Sequence, residues 1–89
     1  MDIKDLLDDI KQIDIEPGIF KVFLMAASHL QGYDAWVSFR TGSNHDWMSE
    51  CRTHGDTPDE ALYKLNLILH GIRSLTCPHC GNEVKRIEA

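Results

Sequence analysis

Apolar residues recur at Ile3, Leu6, Leu7, Ile10 and Ile13, the spacing of one face of a helix. The pattern predicts an amphipathic helix over residues 3–13, with Asp2 as its N-cap and Lys4, Asp5, Asp8, Asp9 and Lys11 facing outward. A Pro17-Gly18 step punctuates the chain. From Ile19 to Leu30 the chain is apolar almost all round. A buried strand is one reading, but the length of the run and its Met25-Ala26-Ala27 stretch favour a central helix over 18–31, ended by Gly32.

Two strands are expected next, Tyr33 to Arg40 and Asp46 to Thr53, around the loop Thr41-Gly42-Ser43-Asn44-His45. Setting Arg40 opposite Asp46 places Phe39 against Trp47, Val37 against Ser49, Ala35 against Cys51 and Asp34 against Arg52. Both ends of the hairpin then carry opposite charges, and one face collects the apolar side chains. A slip of one residue loses both charge pairs. Thr57-Pro58-Asp59-Glu60 is a helix start: a capping threonine, a proline at the first helical position and a glutamate closing a capping box. The helix should span 58–74 and bury Ala61, Leu62, Leu65, Ile68, Leu69 and Ile72. A cysteine knuckle at 77–81 and a short charged stretch follow.

These elements imply one α+β domain over residues 1–89, a two-stranded antiparallel hairpin at 33–53 packed with three helices and closed by a C-terminal zinc knuckle. The second and third helices cover the apolar hairpin face. On the outer face stand Trp36, Ser38, Met48 and Glu50. Either the first helix covers them, or Trp36 and Met48 are open to a partner.

The balance of 9 basic against 14 acidic side chains, a net charge of −5, argues against a broad grip on nucleic acid or anionic lipid. It suits a basic protein partner. No apolar run reaches the ~20 residues of a membrane helix, and the acidic start is unlike a signal peptide. With three cysteines, two of them in a Cys-x-x-Cys pair, a reducing cytoplasmic setting and a metal site are expected.

Cys77-Pro78-His79-Cys80-Gly81 has the pattern of a zinc knuckle, in which a tight turn sets both thiolates on one Zn²⁺. A redox pair would instead open a helix after a strand. A structural Zn²⁺ needs two further ligands. Cys51 and His54 have a suitable spacing, but the last predicted helix is ~24 Å long at 1.5 Å per residue. Three residues beyond it reach back only about 10 Å. The same geometry brings the knuckle toward His45 and His70, which rank first, ahead of Cys51 with His54 and then His79. A zinc bridging two chains, with two cysteines from each, would make a homodimer.

No catalytic constellation is evident. Cys51 and His54 fall on opposite faces of a strand end, Asp56, Asp59 and Glu60 are explained by helix capping, and no phosphate loop or His-Glu-x-x-His is present. The chain therefore reads as a non-enzymatic binding protein. Its candidate contact surface is Trp36, Arg40, Met48 and Arg52 on the outer hairpin face, together with the acidic first helix. The alternative is a zinc-knuckle module that binds nucleic acid through the same face, stacking bases on Trp36 beside Arg40 and Arg52, with Lys85 and Arg86 nearby. That module conflicts with the net charge.

The strand around Trp36 and Val37, then Trp47, then Gly55-Asp56-Thr57-Pro58-Asp59-Glu60-Ala61-Leu62, resembles small α-β-β-α sandwich proteins of phages and prophages. The helix entry is similar to that of HicB-like antitoxin domains. The resemblance covers roughly residues 33 to 72; the chain departs from it in lacking a third strand and in carrying a terminal knuckle. It implies a cytoplasmic accessory protein of a mobile element, without catalytic residues, that binds and blocks a host protein such as a defence nuclease.

Overall fold

The computed structural model describes residues 2–16, 18–27, 31–40, 47, 51–76 and 81–87. Among these the chain is α+β, with two helices and six strands in two small antiparallel sheets. In chain order the elements are α1 (Ile3–Lys11), β1 (Ile15–Glu16), β2 (Ile19–Ala26), β3 (Tyr33–Phe39), β4 (Thr53–Gly55), α2 (Pro58–Gly71), β5 (Ser74–Thr76) and β6 (Glu83–Arg86). No helix among the described residues is long and apolar enough to cross a membrane.

The main sheet has the order β2-β3-β4. The helix expected over 18–31 is not formed: Ile19–Ala26 is a strand, paired to β3 from Ile19↔Phe39 to Ala26↔Tyr33 with an irregularity between Ile19 and Lys21. Its β-branched and aromatic residues, Ile19, Phe20, Val22 and Phe23, suit an extended backbone. The middle of the strand is apolar on both sides because each side has a neighbour there: Val22 and Leu24 pack against the core, while Phe23 stacks on Trp36 with ring centroids 5.2 Å apart. Phe20 and Met25, near its ends, are exposed.

The hairpin is also rearranged. β3 matches the expected first strand, but its partner on the far side is β4, with Asp34↔His54 and Ala35↔Thr53. The pairing lies two residues beyond the expected register. A shift of two leaves every side chain on its face, so the apolar set stays together. Of the expected second strand, Trp47, Cys51, Arg52 and Thr53 are described, and among them only Thr53 is in a strand. The Cys51 amide donates to the Trp47 carbonyl at 3.0 Å, a helical bond, and the Trp47 amide donates to Val37 at 3.0 Å. Trp47 still meets Phe39, edge to face at 4.9 Å between centroids.

One core unites the layers. Leu6 and Ile10 of α1, Ala61, Leu62, Leu65 and Leu69 of α2, and Ala35, Val37 and Phe39 of β3 are all buried there, with Trp47 and Cys51. α1 packs beside α2 and reaches β2, so it lies on the helical side of the sheet and does not cover the outer face. The stripe of α2 differs from the expected one at two positions. Ile68 is exposed, whereas the polar Asn66 is buried and donates to Asp9 Oδ2 at 2.5 Å, tying the two helices together.

The expected charged tail supplies β6, the middle strand of a second sheet, β1-β6-β5. Its β5 takes up Ser74, the expected end of the last helix, which instead stops at Gly71. Leu75 pairs with the fully buried Val84, and Thr76 with Glu83. Arg86 anchors this sheet to α2: its guanidinium donates to the carbonyls of Ile72 at 3.0 Å, Leu69 at 3.3 Å and His70. A cation at the carbonyl end of a helix satisfies groups that the helix itself leaves unpaired.

Candidate interaction surface

Side chains alternate along β3, so Asp34, Trp36 and Ser38 lie opposite the core residues Ala35, Val37 and Phe39. The outer face is nevertheless closed. Trp36 is only 7 % exposed, and Asp34 and Ser38 are buried as well. Trp36 is therefore not available to a partner; it is the flat packing surface for Phe23.

At the β4 end of this face, three residues form a polar cluster. Arg52 donates to Asp34 Oδ2, while His54 Nδ1 lies 2.8 Å from Asp34 Oδ1. An ionised carboxylate can only accept, so the shared proton belongs to His54 Nδ1. The His54 hydrogen bond first, and Arg52 second, hold the Asp34 carboxyl below its ordinary pKa. Half of the Arg52 side chain remains exposed. The charge pair expected between Asp34 and Arg52 is thus present, as a diagonal contact across the shifted register. The Arg40 side chain is exposed and its Nε reaches the Ile19 carbonyl at 3.5 Å.

Cys51 is fully buried in the core, whereas the His54 ring sits with Asp34 on the other side of the sheet. The two do not converge. The His70 ring lies 3.4 Å from Asp9 Oδ2, and the Asn66 and His70 hydrogen bonds, in that order, lower the Asp9 pKa. Among the described residues no cluster of three or more His, Cys, Asp or Glu side chains could hold a metal. Cys77, Cys80, His79, His45 and Met48 lie outside the described residues.

The helical layer offers a surface that the apolar periodicity did not single out. Tyr63 and Leu67, one turn apart on α2, are 50 % and 56 % exposed, and Ile68 beside them is 41 % exposed. The opposite side of the same helix is wholly buried, so these side chains are held on a fixed support. The start of α2 is equally well determined. The Glu60 amide donates to Thr57 Oγ1 at 3.3 Å, and Glu60 Oε2 accepts from the Asp56 amide at 2.9 Å. Exposed acids border the layer: Asp2, Asp5, Asp8 and Asp9 on or beside α1, and Asp59 on α2. The sequence signal for this surface is Leu67, an apolar residue that lies off the stripe formed by Ala61, Leu62, Leu65 and Leu69.

No protein-family model, curated protein or solved structure matches the chain.

Proposed function

We propose that the protein is a non-enzymatic binding protein that acts by protein–protein contact, as an inhibitor of a host protein. The observation that carries this reading is the exposed apolar group Tyr63, Leu67 and Ile68 on a helix whose other side is rigidly packed. Anchors of this kind, spaced by one helical turn, suit insertion into an apolar groove. With Lys64 paired to Glu60, the exposed Asp59 on the same helix and the acids of α1, together with the net charge of −5, favour a partner that is basic at its rim. Enzymes that grip nucleic acid carry such surfaces. A nuclease of a host defence system is therefore the partner class that fits, in the cytoplasm, for a protein of a mobile element. β2, Ile19–Ala26, gives the main sheet a third strand, ahead of the residues 33 to 72 that carry the resemblance to HicB-like domains.

The nucleic-acid alternative has less support. Trp36 is buried, Arg52 is paired to Asp34, and Arg86 is bound to the end of α2. Zinc belongs to the proposal too, with Cys77 and Cys80 as ligands and the ion structural. Supporting it, β5 and β6 pair as far as Thr76↔Glu83, so the knuckle sequence connects two paired strands, and Gly81 adopts φ +75°. A glycine in that conformation after the second cysteine suits a tight metal-binding turn. His45 and His70 remain the proposed further ligands, which for His70 means leaving Asp9.

The test is affinity capture from host lysate with the wild-type protein and Leu67→Asp, followed by assay of the captured protein with and without its inhibitor. One captured protein, lost with Leu67→Asp while the fold is kept, is the expected result. Capture unaffected by Leu67→Asp, or a shift of oligonucleotides at low salt in place of protein capture, overturns the reading.

A further inference from the structure

β2 lies at the edge of the main sheet among the described residues, away from the α2 surface. In an antiparallel sheet, alternate residues direct both backbone groups to one neighbour or the other. The Ala27 amide donates to the Gly32 carbonyl at 3.0 Å, continuing the register Ala26↔Tyr33 and Met25↔Asp34. Hence Lys21, Phe23 and Met25 hydrogen-bond to β3, and Val22, Leu24 and Ala26 turn their N–H and C=O groups away from it. β2 is the outermost strand of its sheet among the described residues. Edge strands are usually protected by charges, prolines or bulges. Here the irregularity and the single charge, Lys21, lie at the start of the strand, and Val22 to Ala26 carry neither. Val22, Phe23 and Leu24 are only half-buried, and Met25 is 57 % exposed.

We infer that β2 pairs antiparallel with β2 of a second copy of this chain, about a two-fold axis at Phe23, to make one continuous six-stranded sheet. The backbone groups of the edge call for a strand, and its composition calls for an apolar one. Residue 22 then faces residue 24 of the partner in a hydrogen-bonded pair, which is the pair the outward groups can form. Phe23 faces Phe23 of the partner subunit in the closer, non-hydrogen-bonded position, extending the Phe23–Trp36 stack across the axis. Both halves keep their faces, because the paired positions have the same parity. Lys21 falls opposite Met25 of the partner subunit. The two lysines are four residues apart along the ladder, about 14 Å, beyond the ~8 Å screening length of physiological salt.

Sedimentation velocity across a concentration series, in the presence of a chelator, tests this pairing with Met25→Lys and Met25→Glu. Met25 is exposed, so both variants should keep the fold. A dimer that persists in chelator, dissociates roughly tenfold more readily with Met25→Lys, which faces Lys21, and tightens with Met25→Glu is expected. Hydrogen exchange should then show the amides of Val22, Leu24 and Ala26 slowed in the dimer. A monomer at every concentration, a dimer lost to chelation, or equal responses to the two charges overturns the proposal. Protection of those amides only after another protein is added assigns the edge to a foreign strand and overturns it equally.

Discussion

His54 Nδ1 and Asp34 Oδ1 lie 2.8 Å apart, joining β4 to β3 at a position where the backbones are also paired. Asp34 is buried and depends on this contact and on Arg52 for its charge to be tolerated. Its pKa in the folded protein is below the ordinary 3.8, with the His54 hydrogen bond as the largest cause. A depressed carboxylate pKa stabilises the fold above the unfolded-state value, and the stabilisation disappears as pH falls through the folded-state value. Asp34→Asn should therefore lower the melting temperature at neutral pH, and its deficit should shrink in acid below the ordinary value. Thermal melts of both proteins across that range check this. By NMR titration, His54→Ala should move the Asp34 pKa upward further than Arg52→Ala.

Gly55 and Thr57 fix how α2 leaves the sheet. A Cβ on Gly55 would lie 2.5 Å from the Ala61 amide nitrogen and 2.9 Å from Glu60, both parts of the first turn of α2. Gly55→Ala must push the helix away from β4, at a cost of roughly 1–3 kcal/mol. Thr57→Ala removes the capping acceptor and the hydroxyl's hydrogen bond to Asp59, and should cost about 1 kcal/mol. Urea unfolding should rank the two in that order, with the Thr57 variant keeping the native spectrum.

The capping sequence made α2 legible because its cues are local: a threonine acceptor, a proline and a glutamate at fixed offsets. α1 and β3 were legible for a similar reason, each having one strongly patterned face. β2 was not. An apolar run without period fits a buried helix or a strand packed on both sides, and the choice depends on Trp36 and the core, which are distant in sequence. The hairpin register failed by two residues because charge pairing between Asp34 and Arg52 tolerates a diagonal geometry that backbone pairing does not. The small second sheet leaves little trace in the sequence because its strands are only two to four residues long, although Glu83-Val84-Lys85 alternates as a strand should. From the sequence Trp36 reads as a contact residue because its stacking partner Phe23 lies in a run with the pattern of a buried helix.

Leu65 and Leu67 separate the core of α2 from its proposed contact surface. Leu65 is fully buried and Leu67 is 56 % exposed. Leu65→Ala should cost about 2–5 kcal/mol, whereas Leu67→Asp should cost only about 1 kcal/mol, from lost helix propensity and an acid in the C-terminal half of the helix. Equilibrium denaturation of the two variants decides this before any binding experiment, since loss of capture by Leu67→Asp is informative only if its fold is intact. Trp36→Ala cannot serve that purpose: it removes the Phe23 stack from a buried site and should unfold or loosen the sheet.

Zinc is the other feature on which sequence and fold can be tested together. If Cys77 and Cys80 hold a structural ion, native mass spectrometry of protein purified without added metal should show one zinc per chain. A strong chelator should remove it, and Cys80→Ser should prevent its uptake. The loss should be felt first in the β1-β6-β5 sheet, whose strands flank the knuckle and whose hold on α2 runs through Arg86. Amides of Val84 and Arg86 should therefore exchange faster in the metal-free protein while those of β3 remain slow. His70→Ala distinguishes the ligand shell: reduced zinc affinity would place His70 on the metal, whereas unchanged affinity with weakened docking of α1 on α2 would leave it as the partner of Asp9. A protein that carries no zinc, yet keeps the second sheet protected, would reduce Cys77 and Cys80 to thiols in a turn.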